Sequence, residues 1–355
     1  MGQAACNGRT TCSERIEHRN FVIWENGMLE RVATKQIRRR SRLGAGLLLL
    51  LLFTVVLSAC GGQSASTNTN KTANDDGGTR VIKHAMGETK VPAHPKRVVV
   101  LDTGELDAAI SLGIKPVGAV TSPQSKDQTF LSYLGDQTKG ITSVGTLSQP
   151  NLEKIMSLNP DLILSNKFRH EKLYDQLSQI APTVFSENVG PTWKENLKLF
   201  ADALNRMDEY NKLMDAYNKR LADFKQKMGD KLEKTHVSVV RTMPDRVRLY
   251  LNGVFLGIVL KDAGLPRTKI QDSPKKFIEM TSFERIKDMD GDVIFTMHYG
   301  SDQKLKELTS QPQWKELNAV KNGRVYEVSD DIWALGMSMG AANKIIDDLY
   351  TYLVK

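Results

Sequence analysis

Two glutamates recur in matching surroundings. Pro150-Asn151-Leu152-Glu153-Lys154-Ile155 runs on through Met156-Ser157-Leu158-Asn159-Pro160 to Asp161-Leu162-Ile163-Leu164. Thr281-Ser282-Phe283-Glu284-Arg285-Ile286 runs on to Asp292-Val293-Ile294-Phe295. In each, a glutamate on an amphipathic helix precedes, by eight residues, an aspartate that opens a buried strand. An acid in a first turn is an ordinary solvated partner of the helix dipole. The same placement twice makes a symmetric role more plausible. Cys60 is a second chemical group in an unusual place, at the end of the apolar run Leu51-Leu52-Phe53-Thr54-Val55-Val56-Leu57-Ser58-Ala59. It could be a redox thiol, a metal ligand or a point of lipid attachment.

Other chemistries find little support. The chain has three cysteines, Cys6, Cys12 and Cys60, so nothing after Cys60 can form an internal disulfide, a thiolate metal site or a cysteine nucleophile. The six histidines make no His-x-x-x-His pair or His-rich loop, which disfavours direct binding of a divalent metal. Glu105 and Asp107 are close in sequence, but a neighbouring pair of acids is weak evidence for acid–base work. There is no GxSxG, Walker loop, GxGxxG or HExxH, so no enzyme is expected.

The net charge of +8 is concentrated at the N-terminus, where residues 1–59 hold nine Lys/Arg against four Asp/Glu. The balance of the remainder gives no footprint for nucleic acid. Arg38, Arg39, Arg40 and Arg42 precede an apolar stretch from Leu43 to Leu57, followed by small Ser58 and Ala59. Basic patch, short apolar region and small residues make a secretory signal, too short for a comfortable bilayer span. Leu57-Ser58-Ala59-Cys60 resembles the bacterial lipobox, which implies diacylation of Cys60 and removal of residues 1–59. Met28 offers an alternative start. Residues 60–79 contain almost no apolar side chain and read as a flexible, lipidated tether.

These groups need a scaffold, and residues 80–355 supply an α/β pattern. Strands are expected at Arg97–Leu101, Pro116–Val120, Asp161–Leu164 and Thr183–Phe185, and helices at Thr103–Leu112 and Asn151–Leu158. From Thr192 to Lys227 there is neither proline nor glycine, and apolar residues recur at helical spacing, with a break expected around Leu204–Asp208. Strands resume at Val237–Val240, Val247–Tyr250 (a hairpin), Asp292–Phe295 and Arg324–Val328, and a helix closes the chain at Gly340–Leu353. The fold class is therefore α/β, with two lobes, 80–203 and 231–355, joined by a linking helix over 204–230. A ligand cleft is expected between the lobes.

HPKRVVVLD, GIKPVGAV, PNLEKIMSLNPDLIL, SFERIKDMDGDVIF and DDIWALGMSMGA together resemble the ABC-transporter substrate-binding proteins of the iron–siderophore and vitamin B12 class, over about residues 80–355. The resemblance implies a single long interlobe helix, limited hinge closure, and docking of Glu153 and Glu284 on basic residues of the two permease subunits. It also implies a ferric siderophore, whose chelator fills the iron shell so that no protein ligand or cofactor is needed, and a lipid-anchored monomer on the extracytoplasmic face of a cell membrane, Gram-positive favoured.

Arginine forks and aromatic rings answer the acceptor oxygens of such a chelate. Candidates at strand ends are Arg169, in the siderophore-binder-like Asn166-Lys167-Phe168-Arg169-His170, and Arg241, with Arg246 in the adjacent turn. Trp193, Tyr299 and Trp333 either wall the cleft or pack. Arg248 alternates with Val247 and Leu249 and is expected to face solvent. NKFRHEKLY and VVRTMPDRVRLYLNG point to a hydroxamate or citrate–hydroxamate chelate; catecholate, haem and cobalamin are the competitors. A structural surface lipoprotein is the alternative of another class, and a hydrolase is the least supported.

Overall fold

The computed structural model describes residues 78–122, 129–274 and 276–354, all within one compact unit. The lipobox, Cys60 and the tether up to residue 77 lie outside the described residues. Among the described residues, no helix is long and apolar enough to cross a membrane.

A hairpin of β1 (Thr79–His84) and β2 (Gly87–Pro92) opens the described chain. Its polar alternation hides it from a search for apolar runs. The first sheet is wholly parallel, in the order β5-β4-β3-β6-β7. It comprises β3 (Val98–Val100), β4 (Gly118–Thr121), β5 (Thr142–Thr146), β6 (Leu162–Asn166) and β7 (Thr183–Ser186). Its three central strands are buried along their whole length, as a parallel sheet covered on both faces requires. The crossovers include helices α1 (Thr103–Ser111), α2 (Leu152–Ser157), α3 (Lys167–His170) and α4 (Tyr174–Ile180).

Two helices follow, α5 (Trp193–Ala203) and α6 (Met207–Met228). The expected break falls at Leu204-Asn205-Arg206, where Asn205 adopts a left-handed φ of 57°. Asparagine tolerates that conformation, so the helix breaks without proline or glycine. α6 leads into the second lobe and ends at Gly229.

The second sheet repeats the first in the order β10-β9-β8-β11-β12. Its strands are β8 (Val237–Met243), β9 (Arg246–Tyr250), β10 (Ile278–Thr281), β11 (Val293–His298) and β12 (Val325–Glu327). β8 and β9 form the expected antiparallel hairpin, so β9 is the one strand running against the other four. Helices α7 (Phe255–Asp262), α8 (Gln303–Ser310), α9 (Pro312–Lys315) and α10 (Asn318–Lys321) decorate this lobe, and α11 (Met339–Leu353) closes the chain.

The internal repeat has a structural cause. The Asp161 carboxylate accepts the backbone N–H groups of Lys96 and Arg97, at 2.7 and 2.9 Å, just before β3. The Asp292 carboxylate accepts the His236 backbone N–H at 2.8 Å, just before β8. Each aspartate therefore pins the entry of the parallel strand beside its own. One expectation needs correction: Glu284 does not stand on an α-helix like Glu153. It lies in 3₁₀ turns over Phe283–Met289, bent at Arg285.

Candidate ligand cleft and docking faces

In the first lobe, the carboxyl ends of β3 and β6 bring four polar side chains together. Asp102 follows β3 and caps α1, accepting from Thr103 N at 2.7 Å. Asn166 ends β6 and caps α3, its Oδ1 accepting from Arg169 N at 2.9 Å. The Asn166 amide donates to Asp102 at 2.9 Å and to Glu105 at 3.0 Å, and Arg169 Nε donates to Asp102. Burial works against the Asp102 charge, but Arg169 prevails and holds that carboxyl below the usual range. Burial, reinforced by the Asp102 charge, pushes Glu105 up to about 8. A carboxyl raised in this way stabilises the fold at low pH and loses that contribution as pH rises through about 8. Glu105 and Asp102 also border a small cavity with Gly190, Phe200, Met337 and Ser338.

In the second lobe, Arg241 on β8 makes a two-pronged ion pair with Asp330, at 2.5 Å from Nε and 2.6 Å from Nη2. Its Nη1 donates to the Tyr250 hydroxyl at 2.6 Å. The half-buried Tyr299 ring lies 5.2 Å from the guanidinium. Arg246 begins β9 and pairs with Asp245, at 2.8 and 2.5 Å.

Arg248 corrects the sequence expectation. It is 1% exposed and stands directly opposite Arg241 in the β8–β9 ladder, on the same sheet face. Alternation misled because β9 is buried on both sides: Val247, Arg248 and Leu249 are all covered. Spacing alone cannot place it, but a second arginine across a hairpin from Arg241 was the available signal.

The two tryptophans pack and do not wall a cleft. Trp193 is 1% exposed and meets Tyr217 and Phe255 edge-on. Trp333 is 0% exposed, lies against Phe295, and donates its indole N–H to Asp348 at 2.7 Å. Each is the apolar body that its helical or post-strand context brings inward.

The stretch Asp330–Ala341 is the seam between the lobes. Asp330 holds Arg241, while the adjacent Asp331 accepts from Ser132 N and Oγ in the first lobe, at 2.9 and 2.7 Å. Thr103 Oγ1 donates to the Leu335 carbonyl at 2.8 Å. Asp107, on α1, caps α11 by accepting from Gly340 N and Ala341 N at 2.7 and 2.9 Å, and also accepts from Tyr133 and Ser111. So Asp107 is a structural group. The glycines of the motif follow: a Cβ at Gly336 would fall 2.6 Å from the Tyr133 hydroxyl, and one at Gly340 2.6 Å from Asp107 Oδ1. Asp107→Ala should cost about 2 kcal/mol or more, since a cap is lost and buried donors are left unmet. Denaturant unfolding would measure it, with faster hydrogen exchange at Gly340 and Ala341. Unchanged stability and exchange would show that the seam does not depend on this cap.

The candidate docking glutamates both lie on the surface. Each follows the outer strand of its sheet, Glu153 after β5 and Glu284 after β10. Asn151 caps α2 by accepting from Lys154 N at 2.9 Å, and Ser282 Oγ donates to the Glu284 carboxylate, lowering its pKa. The described histidines are dispersed: His170, for example, is buried between Ser165 and the Leu147 carbonyl. No group of three or more His, Cys, Asp or Glu suited to a metal occurs among the described residues.

Two lobes with repeated sheet order, a long helix between them and a polar seam define a solute-binding architecture. Residues 98–332 match the model of the periplasmic binding protein family, and the chain belongs to that family, which binds solutes for transport and is not catalytic. It is 42% identical to the probable siderophore-binding lipoprotein YfiY of Bacillus subtilis, over 87% of this chain and 97% of that one. It is 33% identical to the Fe(3+)-citrate-binding protein YfmC of the same organism, over 80% and 88%. Staphylococcus aureus SirA complexed with staphyloferrin B superposes with a TM-score of 0.70 at 38% identity, covering 78% of this chain and 98% of SirA.

Proposed function

We propose that this chain is the extracytoplasmic binding protein of an ABC importer and captures an anionic ferric siderophore. One observation carries the proposal. In each lobe an arginine is held by a buried aspartate near the carboxyl end of a central strand, Arg169 by Asp102 and Arg241, itself 3% exposed, by Asp330. Forked cations held in this way suit carboxylate or hydroxamate oxygens. Tyr299 adds an aromatic face, and Arg246 and Arg248 add positive charge on the same hairpin. The chelator saturates the iron, so no side chain need ligate it.

Relatives named for siderophore, Fe(3+)-citrate and iron(3+)-hydroxamate binding support the ligand class. Within it we favour a chelate of hydroxamate or citrate–hydroxamate type. Ligation of lipid at Cys60 would keep the body, as a monomer, near the permease on the outer face of a Gram-positive membrane. Glu153 and Glu284 would meet basic residues of the two permease subunits.

Intrinsic tryptophan fluorescence of the full chain tests the ligand. Ferric staphyloferrin B, ferric citrate, a ferric hydroxamate, a ferric catecholate, haem and cobalamin would be titrated in turn. Saturable quenching by the ferric hydroxamate or the carboxylate chelates at the lowest concentrations is expected. Preference for the catecholate would overturn the chelate type, and preference for haem or cobalamin the siderophore class.

A further inference from the structure

Large hydrophobic side chains are rarely left exposed on the described body. Val81, Met156 and Met280 are the exposed ones, at 55%, 56% and 45%. Two of these three lie beside the two candidate docking glutamates. Met156 is one turn beyond Glu153 on α2, where positions three apart on a helix are surface neighbours. Met280 is on β10, the outer strand that runs into Glu284. The Arg285 guanidinium reaches back to the Met280 carbonyl at 3.5 Å, tying the glutamate's turn to that strand.

From this pairing we infer that Met156 and Met280 are the apolar anchors of the permease contact, one on each lobe. The inference rests on the docking role of Glu153 and Glu284 and adds its second half. An exposed carboxylate steers and orients a partner, but rim charges alone contribute little lasting affinity. A desolvated side chain beside each charge supplies it. Methionine suits this work, because its flexible thioether adapts to a pocket that changes shape, as a transporter's face does during its cycle. The partner surface would carry, at two places separated as the lobes are, a basic residue next to an apolar depression. The contact would be charge-complementary at each glutamate and dry at each methionine.

The test uses the full lipidated chain in cells lacking the wild-type copy, supplied with iron-55 staphyloferrin B and, in parallel, iron-55 citrate. Met156→Gln with Met280→Gln should keep ligand affinity within about twofold by tryptophan fluorescence, yet lower uptake at least fivefold. Met156→Leu with Met280→Leu, which keeps the apolar bulk, should restore most of it. Glu153→Ala with Glu284→Ala is run beside them. Normal uptake with the glutamine pair, where the glutamate pair fails, overturns the anchor role and leaves the charged docking intact. Normal uptake with both pairs overturns the docking reading and the anchors with it. Loss of ligand affinity in the glutamine pair would place the methionines in the ligand cleft and also overturn the inference.

Discussion

Arg241→Ala should lower stability by about 3–5 kcal/mol and weaken ferric-chelate binding by a further factor of about 10–100. The stability loss follows from Asp330, a carboxylate only 8% exposed that would lose its two-pronged cationic partner. The binding loss follows from removing charge-assisted hydrogen bonds worth about 1.5–3 kcal/mol. A second variant separates the two effects. Arg241→Met with Asp330→Leu removes both charges and fills similar volume, a swap that is often neutral for stability. It should unfold near the wild-type midpoint yet bind the chelate at least tenfold more weakly. Adding Arg169→Ala should weaken binding again, since that guanidinium belongs to the other lobe. Wild-type affinity in the well-folded double variant would remove Arg241 from the ligand site.

Glu153→Ala with Glu284→Ala should do the reverse. Both carboxylates are exposed and follow the outer strands of their sheets, whereas the arginines stand on or after inner strands, so chelate affinity should stay within about twofold. Iron uptake by cells carrying this pair should fall by about 10-fold or more, because charges that steer and orient a partner set how often it docks productively, and electrostatic steering raises on-rates by about 10-fold or more. Charge reversal to lysine should be more severe than alanine. Reduced affinity with normal uptake would reassign the glutamates to the cleft.

Much of this architecture was legible in the residues. Val98-Val99-Val100 and Leu162-Ile163-Leu164 could hardly be anything but buried strands, and the apolar stripe from Trp193 to Phe224 required long helices. The Glu–Asp repeat marked matching positions in the two lobes, and its aspartates turned out to pin the entries of β3 and β8. The site was harder to read, because exposure depends on what covers a strand. Arg248 looked solvent-facing by alternation, but both faces of β9 are covered. Trp193 and Trp333 had the right chemistry for a cleft wall, yet their bulk serves the core. The partners Asp102 and Asp330 were invisible as partners: they lie 67 and 89 residues from the arginines they hold. Only the fold supplies such pairings.

The hydrophobic interior has a consequence for how the protein meets its ligand. One continuous cluster takes in Val98 and Leu164 from the first sheet, Val237 and Phe295 from the second, and Ile345 and Ile346 from the last helix. Lobes that share part of their interior in this way are coupled in stability, so the body should unfold in one cooperative transition, measurable by coincident denaturation curves from different probes. A chelate held at the proposed arginines would therefore protect the whole molecule, by an amount that grows with the logarithm of its concentration. On the proposed function, iron supply would then set the lifetime of the receptor as well as its occupancy, the loaded protein outlasting the empty one under proteolysis.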